Sequence, residues 1–163
     1  MRWTYCERWN DLRSKPLTPF DEDEARCRHD SGELYTAVGE RPDEPDILVE
    51  VRLENGYVGT RFLDDLGRNS LVYNFREADG RMFLQEIISY TYAEESGVRG
   101  RIPLVVESFT YTPEGICRHE VDDSRAETIK TVDRDSVDVG SHWEPIPSFG
   151  EYSSVTRWDR ENE

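Results

Sequence analysis

The chain has 163 residues, 35 of them acidic and 20 basic, which gives a formal net charge of −15 at pH 7. A charge of this sign excludes a generic binder of duplex nucleic acid and opposes adhesion to anionic membranes, because the phosphates would be repelled. Charged residues make up 34% of the chain, but 11% is aromatic, and such large rings are enough to build the core of one small domain.

The first nine residues, MRWTYCERW, lack the apolar run of a signal peptide. No apolar stretch approaches the ~20 residues that a transmembrane helix needs. Cysteines occur at positions 6, 27 and 117, and an odd number argues against a disulfide framework. We therefore expect a cytoplasmic protein that makes no contact with membranes.

Residues 1–45 show the least regular pattern. Prolines at positions 16, 19, 42 and 45 interrupt any long helix, so we expect an irregular N-terminal segment. A short helix at Asp21–Arg28 is the exception, because its acidic first turn suits the positive end of a helix dipole.

Residues 46–133 alternate apolar and polar side chains, which predicts β-strands with one buried face. Turn glycines at positions 56, 67, 80, 97 and 115 follow one another at intervals of 11, 13, 17 and 18 residues. This spacing fits consecutive antiparallel hairpins, since parallel strands need long crossovers. The sequence thus predicts a mainly β protein, an antiparallel up-and-down meander of about seven strands that forms a closed or half-open barrel.

Residues 134–163 alternate prolines with large apolar residues, most clearly in the stretch SHWEPIPSF at 141–149. This stretch is too aromatic for a disordered tail. We expect an extended C-terminal segment packed across the sheet, with Trp143 and Phe149 covering one end. The whole chain, 1–163, is then a single domain.

A Cys-Arg-His-acid tetrapeptide occurs twice, at 27–30 and at 117–120. Two Cys-x-His pairs offer the four ligands of a tetrahedral zinc ion, namely Cys27, His29, Cys117 and His119. The spacing matches no zinc motif, and coincidence explains the repeat equally well. We therefore predict no metal site and keep these four residues only as weak candidates.

A catalytic interpretation depends on two glutamates, Glu86 and Glu107, each of which lies among apolar residues on one face of a predicted strand. No nucleophile elbow, Walker loop or dinucleotide loop is present, so no cofactor is expected. Glu86 follows Met82 and Leu84 at alternate positions, and Glu107 lies in a similar row with Tyr111. If both rows face a barrel interior, burial raises the pKa of each carboxyl and lets it transfer protons.

In that interpretation the catalytic set is Glu86, Glu107, Tyr73, Tyr111 and His119. The activity would be that of a cofactor-free lyase, isomerase or cyclase acting on a small apolar molecule, or simply the binding of such a ligand. If the sheet is open, the two glutamates instead pair with Arg76 or Arg118 on a wet face. Whether the chain is an enzyme is thus left open by its sequence.

Pairs of acidic residues stand at the predicted turns: Asp64 and Asp65, Glu94 and Glu95, and Asp122 and Asp123. Aspartate is common in turns for local reasons, and surface charge also favours solubility. The functional interpretation is a surface that docks on a basic protein, as inhibitors and immunity-type modules do, with exposed Trp or Tyr as anchors. We rank this non-catalytic binding function first and the small-molecule barrel second. Homodimerisation through an open sheet edge is a further alternative.

Overall fold

The computed structural model describes residues 1–39, 45–94, 99–158 and 160. Short 3-10 turns lie at Leu53–Asn55, Arg99–Arg101 and Gly140–His142. The other elements, in chain order, are β1 (Thr4–Asn10), β2 (Lys15–Phe20), α1 (Glu22–Ser31), β3 (Tyr35–Val38), β4 (Ile47–Arg52), β5 (Tyr57–Leu63), β6 (Asn69–Ala78), β7 (Arg81–Thr91), β8 (Val105–Tyr111), β9 (Cys117–Asp123), β10 (Thr128–Arg134) and β11 (Trp143–Glu144).

All eleven strands belong to one sheet, in the order β10-β9-β8-β7-β6-β5-β4-β3-β1-β2, with β11 paired to β7. From β3 to β10 each strand pairs antiparallel with the next strand in sequence, which confirms the predicted meander. The sheet is open within the described residues, because its edge strands β2 and β10 do not pair. The predicted barrel is therefore not closed, and the predicted count of about seven strands is not confirmed, because the sheet has eleven strands.

The N-terminal segment, predicted to be irregular, contains three strands and a helix. Its strand β2 accepts Pro16 and Pro19 because it is an edge strand, where a residue without an N–H can be accommodated. The predicted helix is confirmed as α1. Asp21 caps its first turn through a side-chain hydrogen bond, and Gly32 ends it in the left-handed conformation.

A β-bulge in β7 changes which side chains share a face. Asn74 of β6 lies opposite Glu86, whereas the next residue, Phe75, lies opposite Leu84, so Gln85 is an extra residue. Leu84 is buried in the main core, and Glu86 points to the other side, where it contacts Asn74. The predicted row of Met82, Leu84 and Glu86 on one face is therefore wrong, because the prediction assumed unbroken alternation.

The main core lies between one face of the sheet, here called the inner face, and the C-terminal segment. From that segment, Val139, Tyr152 and Val155 are buried against β4 to β7, with Trp143 and Phe149 packed beside them. The Tyr152 and Tyr35 hydroxyls lie 3.0 Å apart, and Thr60 donates a hydrogen bond to the Val155 carbonyl at 2.8 Å. The predicted covering segment is thus confirmed.

The β1–β2 hairpin pairs with the short strand β3 and then continues over the opposite face of the sheet, here called the outer face. There Trp9 packs with Leu48 and Leu63 in a second, smaller core. At the hairpin tip, Asp11 pairs with Arg61 of β5, and the Ser14 hydroxyl accepts a hydrogen bond from Arg101 at 3.2 Å. The outer face is therefore partly covered by the chain's own N-terminal hairpin.

Candidate functional site

The connections β5–β6, β7–β8 and β9–β10 lie at one end of the sheet, because alternate turns of a meander fall at the same end. We call this region the loop end. It brings together five of the six acidic residues predicted to bind a partner, namely Asp64, Asp65, Glu94, Asp122 and Asp123. The sixth, Glu95, lies outside the described residues.

Asp64 has a structural role in the β5–β6 turn. It accepts hydrogen bonds from the Leu66 N–H at 3.0 Å, the Arg68 N–H at 2.9 Å and the Arg68 Nε at 2.8 Å. Partial burial alone would raise the pKa of Asp64, but these hydrogen bonds outweigh it and hold the pKa below its ordinary value. Asp64 is therefore already occupied within its own turn.

Arg68 also ties two connections of the loop end together. Its guanidinium donates to the Ala93 carbonyl at 3.2 Å and to the Gly100 carbonyl at 2.8 Å, and it lies 4.2 Å from the Tyr92 ring centroid. Asp65 and Glu94, the neighbours of Asp64 and Ala93 along the chain, are exposed in these adjoining connections.

Of the other predicted partner-binding acids, Asp123 is paired with Arg125, whose Nε lies 3.2 Å from the carboxylate. Hydrogen bonding to Arg125 lowers the pKa of Asp123. Asp65, Glu94 and Asp122 are exposed and form no ion pair with another described residue. These three carboxylates are the ones open to a partner.

An exposed tryptophan lies at the same end of the sheet. Trp158 meets the ring of Phe62 edge-on, with 4.8 Å between centroids, and Phe62 precedes Asp64 by two residues. The Trp158 carbonyl accepts a hydrogen bond from the Tyr73 hydroxyl at 3.3 Å, which fixes the backbone, while 57% of the residue remains exposed. Sequence reasoning did not single out this residue, because an isolated aromatic near the C-terminus has no periodicity.

The predicted catalytic residues do not form one site. Glu86 lies opposite Thr110 in the β7–β8 ladder, and Glu107 lies opposite Ser89. Because the two glutamates stand three positions out of phase, they project from opposite faces of the sheet. Tyr73 is fully buried in the main core, on the inner face and across the sheet from Glu86.

Glu107 and His119 are in contact on the inner face of β8 and β9, and Tyr111 lies on the same face, opposite Cys117. The Glu107 Oε1 is 2.8 Å from His119 Nε2, and the imidazole stacks on Phe109 with 4.2 Å between centroids. Burial, then the neighbouring Cys117, raises the pKa of Tyr111 to about 12. The Glu107 and His119 side chains are 40% and 23% exposed, so this pair is open to solvent.

The two Cys-x-His pairs are far apart in the fold. Cys27 is exposed on α1, which packs on β1 and β3, whereas Cys117 is buried in β9, six strands from β3 in the sheet order. His29 bonds the Tyr35 hydroxyl at 2.9 Å, and burial lowers its pKa. The structure does not bring the four weak metal candidates together. In the described ranges, no group of three His, Cys, Asp or Glu side chains is placed to hold a metal ion.

A cleft of about 410 Å³ opens on the outer face between the β1–β2 hairpin and strands β4 to β6. Arg52, Tyr57 and Arg76 stand side by side on these three strands, because Arg52 pairs with Tyr57 and Tyr57 pairs with Arg76. Sequence reasoning missed this row, since only the strand register aligns its members. Arg8, Trp9 and Arg61 also line the cleft.

No family model, curated protein or solved structure matches the chain. In the part of the chain that the structure describes, no helix has the length and apolar character needed to cross a membrane.

Proposed function

We propose that the protein is a non-catalytic binding module that docks on a basic protein partner through the loop end. The observation that supports this function is the exposed Trp158 at the same end of the sheet as the unpaired carboxylates Asp65, Glu94 and Asp122. Tryptophan is among the residues that most often dominate binding energy at an interface. Exposed carboxylates along the same end of the sheet suit a partner with the opposite charge.

The dimensions of the loop end suit a protein partner. Its free carboxylates extend from the β5–β6 connection, with Asp65, to the end of β9, with Asp122. Four strand spacings separate the β5–β6 and β9–β10 connections, which is about 19 Å at ~4.8 Å per strand. A standard interface buries about 800 Å² per partner, so one partner can cover this whole edge.

The net charge of the whole chain also favours the binding of a basic partner. A net charge of −15 attracts a basic protein over a distance and raises the association rate, while the local carboxylates select its orientation. These are the physical properties of an inhibitor or an immunity-type protein that neutralises a basic enzyme.

A capture experiment with matched variants tests the proposal. The bait is wild-type protein, the loop-end variant D65N/E94Q/D122N, W158A, or the control E77Q/D79N/E114Q. The control removes the same charge from exposed residues at the opposite end of the sheet. Lysate of the native host is passed over each bait at low and moderate salt.

We expect one stoichiometric basic protein to bind the wild type and the control, to be lost from the loop-end variant and from W158A, and to be released by salt. Its purified complex should then show an association rate that falls by about tenfold or more as salt is raised. Equal loss from the control would show that only net charge matters and would contradict the proposal. Retention by the loop-end variant would place the interface elsewhere.

A further inference from the structure

We propose that the outer-face cleft is a second binding site, and that it takes a small organic dianion, either a dicarboxylate or a phosphate monoester. This site is separate from the loop end and does not depend on the docking function. Its volume of about 410 Å³ falls within the range of small-molecule pockets.

The charge of the cleft is opposite to that of the protein. Four arginines line it against two carboxylates, Asp11 and Glu50, in a chain whose net charge is −15. Both of these carboxylates pair with Arg61, and Arg52 donates two hydrogen bonds to Glu54.

The remaining two arginines of the cleft, Arg8 and Arg76, form no ion pair with any described carboxylate. Two guanidiniums are thus left for a ligand. Guanidinium groups bind carboxylate and phosphate through paired N–H donors, so the two together can balance the two charges of a dianion.

Tyr57 fixes the position of Arg76. The Arg76 guanidinium carbon lies 4.9 Å from the centroid of the Tyr57 ring. On its own strand the phenol lies over Gly59, where any Cβ would collide with the Tyr57 hydroxyl. With Gly59 beneath it and Arg76 on it, the Tyr57 ring acts as a support, while the N–H groups of Arg76 stay available for an anion.

A hydrogen-bond chain across three strands holds Tyr57 in turn. The Tyr57 hydroxyl donates to Asn74 Oδ1 at 3.0 Å, and Asn74 Nδ2 donates to Glu86 Oε2 at 2.7 Å. Burial, then the charge of Glu50, raises the pKa of Tyr57 to about 12, so the hydroxyl keeps its proton at neutral pH. Glu86, predicted as a catalytic carboxylate, is here a positioning residue behind the cleft.

Trp9 forms part of the wall of the cleft. Trp9 lines the cleft and is 6% exposed, and its indole Nε1–H is buried with no acceptor among the described residues. A buried donor without an acceptor costs about 1–3 kcal/mol, so native proteins rarely keep one. Trp9 thus places an unsatisfied donor in the wall of the cleft, and its indole signal reports on that wall.

Ligand binding is tested by NMR titration of the Trp indole and Arg Nε–H signals, with W9F used to assign the Trp9 indole. The probes are succinate and glycerol 3-phosphate, with acetate as the single-charge comparison. We compare the wild type with R76M, R8M/R76M and the control R118M. Arg118 is exposed on β9, where it pairs with Asp133, so R118M removes the same charge far from the cleft.

We expect one dianion to shift the Trp9 indole saturably, acetate to bind at least tenfold more weakly, and R76M to weaken binding by about tenfold or more. R8M/R76M should abolish binding, and R118M should stay within twofold of the wild type. The tighter of the two dianions identifies the anionic group. D65N/E94Q/D122N should bind as the wild type does, which separates this site from the docking surface.

Two results would overturn the proposal. One is the absence of any saturable shift up to about 10 mM of either dianion, since a specific site should bind at millimolar concentration or below. The other is equal weakening by R118M and R76M, which would reveal an effect of net charge alone. A variant that unfolds would be recognised from its amide spectrum, and R76K, which keeps the charge but loses the planar fork, would replace R76M.

Discussion

Gly59 is the residue on which the geometry of the cleft depends most directly. A methyl group at this position would push away the Tyr57 hydroxyl, since the phenol occupies the space above the glycine. Tyr57 would then lose its hydrogen bond to Asn74, and Arg76 would lose the ring that supports it. The absence of a side chain at Gly59 thus allows Tyr57 to contact both Asn74 and Arg76.

We expect Gly59→Ala to lower the free energy of unfolding by about 1–3 kcal/mol, the usual cost of overpacking. Urea unfolding measures this cost. In the Y57A background the same change should cost less than about 0.5 kcal/mol, because the obstructing phenol is gone. An equal cost in both backgrounds would show that the glycine is needed for its backbone and not for Tyr57.

Asp64 gives a prediction with a defined pH dependence. Asp64→Asn keeps an oxygen for the backbone N–H groups of the turn but loses the charged contact with Arg68. We expect the free energy of unfolding to fall by about 1–2 kcal/mol at pH 7. Asp65→Asn, at the exposed neighbouring position, should change it by less than about 0.5 kcal/mol.

The stability that Asp64 contributes should disappear in acid. The pKa of Asp64 is lowered in the folded state, so the unfolded chain binds the proton more readily. The contribution is fully present above the unfolded value of about 3.9 and is lost as the pH falls through the folded value. Urea unfolding between pH 7 and pH 2 should therefore show the wild type and D64N converging. A constant difference across this range would refute the assignment.

At the scale of elements, the C-terminal segment completes the core, and Arg160 holds it in place. The Arg160 guanidinium donates to the Ser141 carbonyl at 3.0 Å and to the Ser154 carbonyl at 2.8 Å, and it pairs with Glu144. These contacts join both ends of the C-terminal segment. Tyr152 and Val155 of that segment are buried in the same core as Tyr73 and Phe75 of the sheet.

We expect Arg160→Met to cost about 3 kcal/mol, since it leaves a largely buried carboxylate with a weaker partner. Arg157 is that partner, 3.3 Å from Glu144 and 42% exposed, so Arg157→Met should cost less than about 1 kcal/mol. Hydrogen exchange should show faster opening at residues 139–156 in R160M and little change in β5 and β6. Uniform acceleration over the whole sheet would mean that the segment does not open separately.

At the scale of the whole molecule, the net charge of −15 opposes the compact state while it attracts a basic partner. We expect the free energy of unfolding to rise by about 1 kcal/mol between about 0.02 and 0.5 M NaCl, because salt screens the repulsion. E77Q/D79N/E114Q, with three fewer negative charges, should show a smaller rise. A decrease in stability with salt would mean that the surface ion pairs outweigh the repulsion.

The meander was predictable because each hairpin is encoded locally. Alternating apolar residues mark the strands, and turn glycines such as Gly56 and Gly80 mark the reversals, where both adopt positive φ. The N-terminal strands were missed because prolines in β2 resemble loop residues, and only an edge position makes them compatible with a strand. The bulge at Gln85 was missed because one extra residue leaves no trace in composition.

The two candidate sites also differ in how far local sequence predicts them. The acidic turns were visible in the sequence, and the alternation of a meander places them at one end. Trp158 joins them there through its packing on Phe62 and through the hydrogen bond from Tyr73 to its carbonyl, both of which are long-range contacts. The cleft depends on the register that aligns Arg52, Tyr57 and Arg76, and on a hairpin that crosses the outer face. Neither the strand register nor the path of the hairpin can be predicted from a short stretch of sequence.

The sequence by itself determined the strands and turns of the central meander, the strong negative charge and the aromatic C-terminal segment, because each follows from residues close along the chain or from composition. The tertiary structure alone decided that the sheet stays open, that Glu86 and Glu107 face opposite sides, and that arginines gather in one cleft of an acidic protein. These features depend on register and on contacts between distant segments, such as the pairing of Asp11 with Arg61. Their energies are realised only when the whole chain has folded.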